Sequence, residues 1–333
     1  MQIARADPLV VDRELKDLFR RHDRPDFPSF FDRAFAQGMR SGLRSFIGRD
    51  DDGRLVAHIG QFPHPFTHRG GAVTGGLVTN LMVAREQRTF FPALSLVRQL
   101  VNDARAAGLD FLYGDPTPAA QIVLKRSGFV PVDALTRFVI PTSHAMPLMD
   151  ALVRLYHILP RRSRSLRDLR VETLDPKRLW ADAALAMKSD DRPMAVRPLH
   201  EPEIYARRLE SWPSGRDRYF RVAPLREGVP AVALARGPNA KGVAAICALY
   251  PSCDVQAPLL IAAVVRQFRR LPGCRTVQIW SLANSRLAAT LHDLGFIARG
   301  DDAAVFALSL TERGAEVVRA APHWEITDLD CDR

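Results

Sequence analysis

The sequence predicts an α/β protein with a mixed sheet, built as two tandem copies of one arrangement. The first observation is a repeat. Residues 108–129, GLDFLYGDPTPAAQIVLKRSGF, and residues 273–296, GCRTVQIWSLANSRLAATLHDLGF, share one order: glycine, apolar run, polar turn, helix, then Gly-Phe. Thr117 to Gly128 and Asn284 to Gly295 are both eleven residues apart, and the copies are offset by 167 residues in a chain of 333. Self-similarity on that scale means two related domains. The second observation is a hairpin signal ahead of each copy. The third is that helices separate the later strands, which makes each sheet antiparallel at first and parallel across each helix.

In the first copy, DRELKDLFRRHDRP and FPSFFDRAFAQGM read as helical. A hairpin follows: LRSFIGR, the polar turn Asp50 to Gly53, then RLVAHIGQF. A third strand, GGLVTNLMV, ends near Val83. Next, PALSLVRQLVNDARAAG sets Leu94, Val97, Leu100, Val101 and Ala104 on one helical face, and Gly108 closes it as a C-cap. LDFLYG is continuously apolar, as a buried central strand is. Thr117 then caps a helix with Pro118 at its first position.

The second copy keeps this order. RYFRVAPL, the turn REGVP and AVALARG form a hairpin, and GVAAICALY the third strand. APLLIAAVVRQFRRLPG is the helix, TVQIWSL the buried strand, and Asn284 caps the last helix, which Gly295 closes. AVFALSL near the end matches TRFVIP at Thr136 to Pro141. These patterns divide the chain into residues 1–145, a basic linker at 146–170 and residues 171–333. The linker region LMDALVRLYHILPRRSRSLRDLRVE carries an apolar stripe, Leu148, Leu152, Leu155 and Leu159, ahead of clustered arginines. It reads as a packed helix and solvated linker, with a patch for anionic lipid or acidic substrate as the second reading.

Hydrophobic content of 47% with 25% charged residues is a soluble globular profile. The formal charge is +10, and only five of the 47 basic residues are lysine. Such a surface favours anionic ligands: nucleotide phosphates, acidic glycans, nucleic acid or inner-leaflet lipid. Cys247, Cys253, Cys274 and Cys331 lie in the second half without C-x-x-C spacing, the pattern of reduced thiols, and no metal is expected. The longest apolar run, Leu259 to Val265, is too short to cross a bilayer, and the N-terminus has no apolar signal core. The expected location is cytoplasmic, with a peripheral place at the inner membrane face left open.

The stretch from Leu81 to Phe129, LMVAREQRTFFPALSLVRQLVNDARAAG through KRSGF, resembles the GNAT acyltransferase superfamily, here in tandem. That resemblance implies an acyl-CoA held in a V between two splayed parallel strands. The thioester carbonyl would meet a backbone N–H near Leu81, Met82 or Val83. The pyrophosphate would sit at a helix N-terminus, on a loop written [RQ]-x-x-G-x-[GA], because free amides and the positive helix end attract phosphate. The matching residues are Arg88, Thr89, Phe90, Phe91, Pro92 and Ala93. Phe91 replaces the central glycine and Pro92 removes a donor, while Arg88 supplies a charged phosphate ligand. Thr117 joins the donor-binding set.

The matching loop of the second copy, Pro251 to Pro258, lacks the arginine and glycines and carries Asp254, so that copy reads as structural or acceptor-binding. The family often places a tyrosine in the last helix to protonate the departing thiolate, and those positions are Leu124 and Leu291. A thiol of pKa about 8.5 leaves tolerably without such help. The acceptor's proton matters more. Candidate bases are Asp115, Glu86 and His64, with His58 and His68 nearby, while Thr79 and Asn80 are placed to orient substrate. Asp328, Asp330 and Asp332 alternate in the tail, as a solvated acidic end or a cation site.

The resemblance therefore implies an acyltransferase moving an acyl group from acyl-CoA to an amine or hydroxyl, with a sugar of polysaccharide or cell-envelope synthesis as acceptor. Two alternatives accompany it: an aminoacyl-tRNA-dependent peptide transferase of the tandem GNAT type, and a non-catalytic GNAT-like binding module. Beyond tRNA, nucleic acid is not an expected partner.

Overall fold

The computed structural model describes residues 1–22, 43–142, 169–173, 176–188, 196–199, 217–224, 231–251 and 256–327. The expected helix at 27–39, the apolar stripe at 148–159, Asp254 and the alternating aspartates of the tail lie outside these residues.

The strands of the first half are β1 (Gln2–Ala6), β2 (Arg44–Arg49), β3 (Leu55–His68), β4 (Gly71–Val83), β5 (Phe111–Gly114) and β6 (Val130–Pro141). Those of the second are β7 (Leu169–Thr173), β8 (Arg197–Pro198), β9 (Asp217–Pro224), β10 (Ala231–Arg236), β11 (Val243–Tyr250), β12 (Thr276–Leu282) and β13 (Ile297–Ser309). The helices are α1 (Asp12–Arg21), α2 (Phe90–Ala106), α3 (Pro118–Arg126), α4 (Pro176–Lys188), α5 (Gln256–Arg269), α6 (Arg286–Asp293) and α7 (Glu312–Arg319).

The chain forms two compact units. Unit 1 is Met1–Asp133, Val196–Trp212 and Ala303–Ala321, and unit 2 is Ala134–Ala195, Pro213–Asp302 and Pro322–Arg333. The units do not follow the 1–145 and 171–333 division, because each takes its last strand from the other half of the chain. In unit 1 the strand order is β1-β2-β3-β4-β5-β13, the end of β13 lying antiparallel to β5 with Phe306 opposite Gly114 and Ser309 opposite Phe111. In unit 2 it is β6-β12-β11-β10-β9-β7, with Leu282 opposite Leu135 and Thr276 opposite Pro141. Each unit is thus antiparallel at one side, parallel across one helix crossover, and closed by an antiparallel strand, β4 with β5 and β11 with β12 being the parallel pairs.

The Gly-Phe repeat has a physical cause. Gly128 and Gly295 take φ of 91° and 84°, a left-handed conformation that side chains disfavour. This lets the Phe129 amide donate to Leu124 O at 3.1 Å and the Phe296 amide to Leu291 O at 2.9 Å, closing α3 and α6 with Schellman caps. Each phenylalanine then turns into its core, at 2% and 3% exposure. The predicted face of α2 is buried as expected: Leu94, Val97, Leu100, Val101 and Ala104 pack over Ala57, Ile59 and Leu112. In unit 2, Leu260, Ile261, Val264 and Phe268 of α5 cover Ala233, Ile246 and Val277 in the same way.

Two caps differ from expectation. Ser285, not Asn284, is the N-cap of α6, its Oγ accepting from the Ala288 amide at 3.1 Å. Thr117 holds the N-cap position of α3 without a side-chain capping bond, because Pro118 already presets the first turn. Asp110, which no sequence motif marks, ties three elements together. Its carboxylate accepts from the Thr74 amide at 2.9 Å and the Thr311 hydroxyl at 2.8 Å, and its carbonyl accepts from the Leu310 amide at 2.8 Å.

Candidate functional site

The candidate site of unit 1 begins where β4 leaves β5. The two pair only at Gly75 with Phe111, Gly76 with Leu112 and Leu77 with Tyr113. Gly114 ends β5 so close to β4 that a Cβ there would lie 2.8 Å from Val78 O. From that point β4 runs on to Val83 along β3 alone, so its far edge opens into a V.

Along the V, β4 carries a bulge. His58 pairs with Met82 and Gly60 with Thr79, so the single residue Ile59 faces both Asn80 and Leu81. The extra residue gives Asn80 a φ of 54° and takes its carbonyl out of the ladder. Nδ1–H of His58 donates to that carbonyl at 3.0 Å, and the Ser45 hydroxyl meets Nε2 at 2.9 Å. The carbonyl on Nδ1 fixes the tautomer, leaving Nε2 to accept from Ser45. Burial pushes the His58 pKa down to about 4, against the opposing pull of the Asn80 carbonyl, so the ring is neutral at pH 7. Beside it, Asn80 Nδ2 donates to Thr79 Oγ1 at 2.9 Å.

The sheet face opposite α2 is aromatic. His64, Phe66, Phe111 and Tyr113 are all buried there, with Phe66 packed on His64 and on Phe111 at 5.1 Å between ring centroids in each case. Gly75 makes the room, since a Cβ at that position would press on Phe111 at 2.7 Å and Phe66 at 2.8 Å. Across it, Nδ1 of His64 hydrogen-bonds the hydroxyl of Tyr113, the last residue of β5 paired with β4. A titratable ring and a phenol therefore meet at the crotch of the V.

The loop residues flank the other end. Arg88 is exposed and its Nε donates to Val83 O at 3.1 Å. Thr89 is the N-cap of α2, which starts at Phe90, while Ala93 is buried in the core below. Phe91 is 75% exposed and so does not fill the V; the side chain of Phe90 lies outside the described residues. The first turn of α2 lies next to Arg88, and Pro92 within it supplies no amide donor. Leu81 and Met82 are half-buried at the edge of the V and Val83 is buried. This edge thus brings together splayed strands, a helix N-terminus and an arginine.

The candidate bases separate. Asp115 is half-buried two residues past Tyr113, with Thr117 exposed after it. Glu86 is exposed in a short 3-10 turn (Arg85–Gln87), 3.8 Å from Arg54 and 3.9 Å from His22. Arg54 and His64 are ten residues apart along one extended strand, about 30 Å, so Glu86 and His64 do not serve one acceptor. No sequence motif marks Tyr113 or the clamping role of His58. The available signal was one hydroxyl in an otherwise apolar strand, since a buried tyrosine needs a partner for its O–H.

No family model matches the sequence, and no curated protein does. Solved structures do. A GCN5-related N-acetyltransferase from Anabaena variabilis superposes with a TM-score of 0.68 at 11% identity, over 94% of this chain and 74% of that one. A tandem GNAT protein from the clavulanic acid biosynthesis pathway gives 0.55 at 14% identity, over 93% of this chain and 99% of that one. Saccharomyces cerevisiae N-myristoyltransferase, solved with bound myristoyl-CoA, gives 0.52 at 12% identity, over 93% of this chain and 79% of that one. The chain thus has the fold of the GNAT acyltransferases, in its tandem form.

Among the described residues no helix is long and apolar enough to cross a membrane, and no group of three or more His, Cys, Asp or Glu side chains is arranged to hold a metal ion. Cys247 and Cys274 are buried free thiols.

Proposed function

We propose that unit 1 transfers an acyl group from acyl-CoA to an amine or hydroxyl, with a sugar of a polysaccharide or cell-envelope precursor as the acceptor. The observation that carries this reading is the parting of β4 from β5 directly beside the His64–Tyr113 pair. The thioester lies along Val78–Val83 with its carbonyl toward the bulge at Asn80, where a backbone N–H freed from the ladder stabilises the oxyanion. Arg88 and the first turn of α2 hold the pyrophosphate.

The acceptor nitrogen or oxygen attacks the carbonyl carbon. The new C–N or C–O bond forms as the C–S bond breaks, and the acceptor proton leaves through water toward the His64–Tyr113 pair, about 10 Å back along β4 from the bulge. The thiolate departs without a dedicated acid, consistent with Leu124 at the family's tyrosine position. The chain works on the cytoplasmic side of the membrane, where acyl-CoA is made.

The test is calorimetric titration with acetyl-CoA and longer acyl-CoAs, then release of free CoA thiol over a panel of amines, amino sugars and polyols. Binding with acceptor-dependent thiol release supports the reading. Failure of every acyl-CoA to bind or to raise the Tm sinks it in favour of a binding module. A salt-sensitive response to aminoacyl-tRNA alone would turn it toward peptide transfer.

A further inference from the structure

Unit 2 repeats the splay and the bulge of unit 1, but a different group satisfies the bulge. β11 and β12 pair from Val243 with Thr276 to Ile246 with Ile279, after which β11 continues as Cys247–Tyr250. Against β10, Leu234 pairs with Ala248 and Ala235 with Ile246, which leaves Cys247 as the extra residue. Cys247 therefore stands where Asn80 stands in unit 1, and its carbonyl likewise leaves the ladder. A buried carbonyl without a donor costs about 1–3 kcal/mol.

In unit 1 the donor comes from within the sheet: His58 faces Met82, two residues past Asn80. In unit 2 the residue facing Leu249, two past Cys247, is Ala233, which has nothing to donate. The donor arrives from the segment after α7 instead. Thr327 Oγ1 donates to Cys247 O at 2.8 Å. Trp324 and Ile326 are fully buried, Thr327 is 5% exposed, and Glu325 between the first two is half-buried. Three of these four residues are thus packed inward. All of these residues belong to unit 2.

We infer that the β11 bulge of unit 2 is a peptide seat, occupied by the chain's own Trp324–Thr327, and that this segment keeps acyl-CoA out of unit 2. The device depends on the paired changes His58 to Ala233 and Asn80 to Cys247 across the duplication, and it holds whether or not unit 1 transfers acyl groups.

The test uses the full chain with Cys253, Cys274 and Cys331 changed to serine, so that Cys247 is the only thiol. Modification by an aromatic disulfide reads the opening of the seat under native conditions. The parent thiol is expected to be nearly inert. Thr327→Val, which keeps the shape and removes the donor, should speed labelling by about tenfold, and Trp324→Ala should speed it further. Thr327→Ser should restore protection. Should Trp324→Ala fail to fold, the Thr327 pair decides. Fast labelling in the parent, or equal rates in parent and Thr327→Val, overturns the seat. Calorimetry of the parent with CoA should give no more than one site per chain, and two sites would overturn the exclusion. A chain that binds no CoA at all, with Cys247 protected, supports the seat and removes only the acyl-transfer reading of unit 1.

Discussion

Asn80 presents its carbonyl to Nδ1–H of His58 at 3.0 Å from inside a bulge where Asn80 itself holds a φ of 54°. A strained backbone position, a buried neutral imidazole and the opening of β4 from β5 are thus one feature of unit 1. Strain of this kind persists only where its surroundings enforce it.

The neutral ring makes stability depend on pH. Its folded pKa of about 4 lies below the ordinary value of 6.5, so the unfolded chain takes up the proton first as pH falls. The His58 contribution is complete above about pH 6.5 and is lost as pH drops toward 4, on the order of 3 kcal/mol in all. Urea unfolding at pH 7 and pH 4.5 should show this loss in the parent. His58→Phe should be less stable at pH 7 by about 1–3 kcal/mol, because the Asn80 carbonyl loses its donor, and its remaining pH slope should be shallower.

Activity should follow the pair at the crotch of the V. His64→Ala should lower kcat about a hundredfold and Tyr113→Phe about tenfold, with small changes in the acyl-CoA KM. Glu86→Gln, far along β3 from His64, should stay close to the parent. A collapse of kcat in Glu86→Gln with His64→Ala unaffected would assign the base to the other end of the strand.

Donor binding should respond to the loop separately. Arg88→Ala should raise the acyl-CoA KM about tenfold, the worth of one charge-assisted hydrogen bond, and leave kcat nearly unchanged. Phe91→Gly restores the family residue at an exposed site and should lower that KM, since a glycine lets the phosphates approach the backbone. Equal KM values for the three proteins would place the phosphates elsewhere.

A fourth expectation concerns the fold of unit 1. A Cβ on Gly314 of α7 would fall 1.8 Å from Asp110 O, a rigid backbone atom at the hub joining β4, β13 and α7. Gly314→Ala should cost about 3 kcal/mol or more in urea unfolding, against about 1 kcal/mol for loss of the cap in Thr311→Ala. Near-equal midpoints would mean that α7 can move away from Asp110.

What could be read in advance follows from locality. The face of α2 and the Gly-Phe ends of α3 and α6 rest on spacings of a few residues, which a sequence displays directly. Arg88 to Ala93 could be placed at a helix start for the same reason. His64 was one histidine among several until Tyr113, 49 residues on, came beside it. Glu86 looked as suitable as His64, because distance along a strand has no meaning before the strand exists. Asn284 and Ser285 both suit an N-cap, and the backbone at Ser285 decided between them.

By itself the sequence determined the duplication, the alternation of strands and helices, and the helix start at Arg88 to Ala93, since each is written in residue order and local propensity. The tertiary structure alone decided which half supplies each closing strand, which side chain answers each bulge carbonyl, and which histidine meets a phenol. Those outcomes depend on pairings between residues far apart in the chain. Ala233 and Thr327 have no relation until β11 bulges at Cys247 and its carbonyl requires a donor.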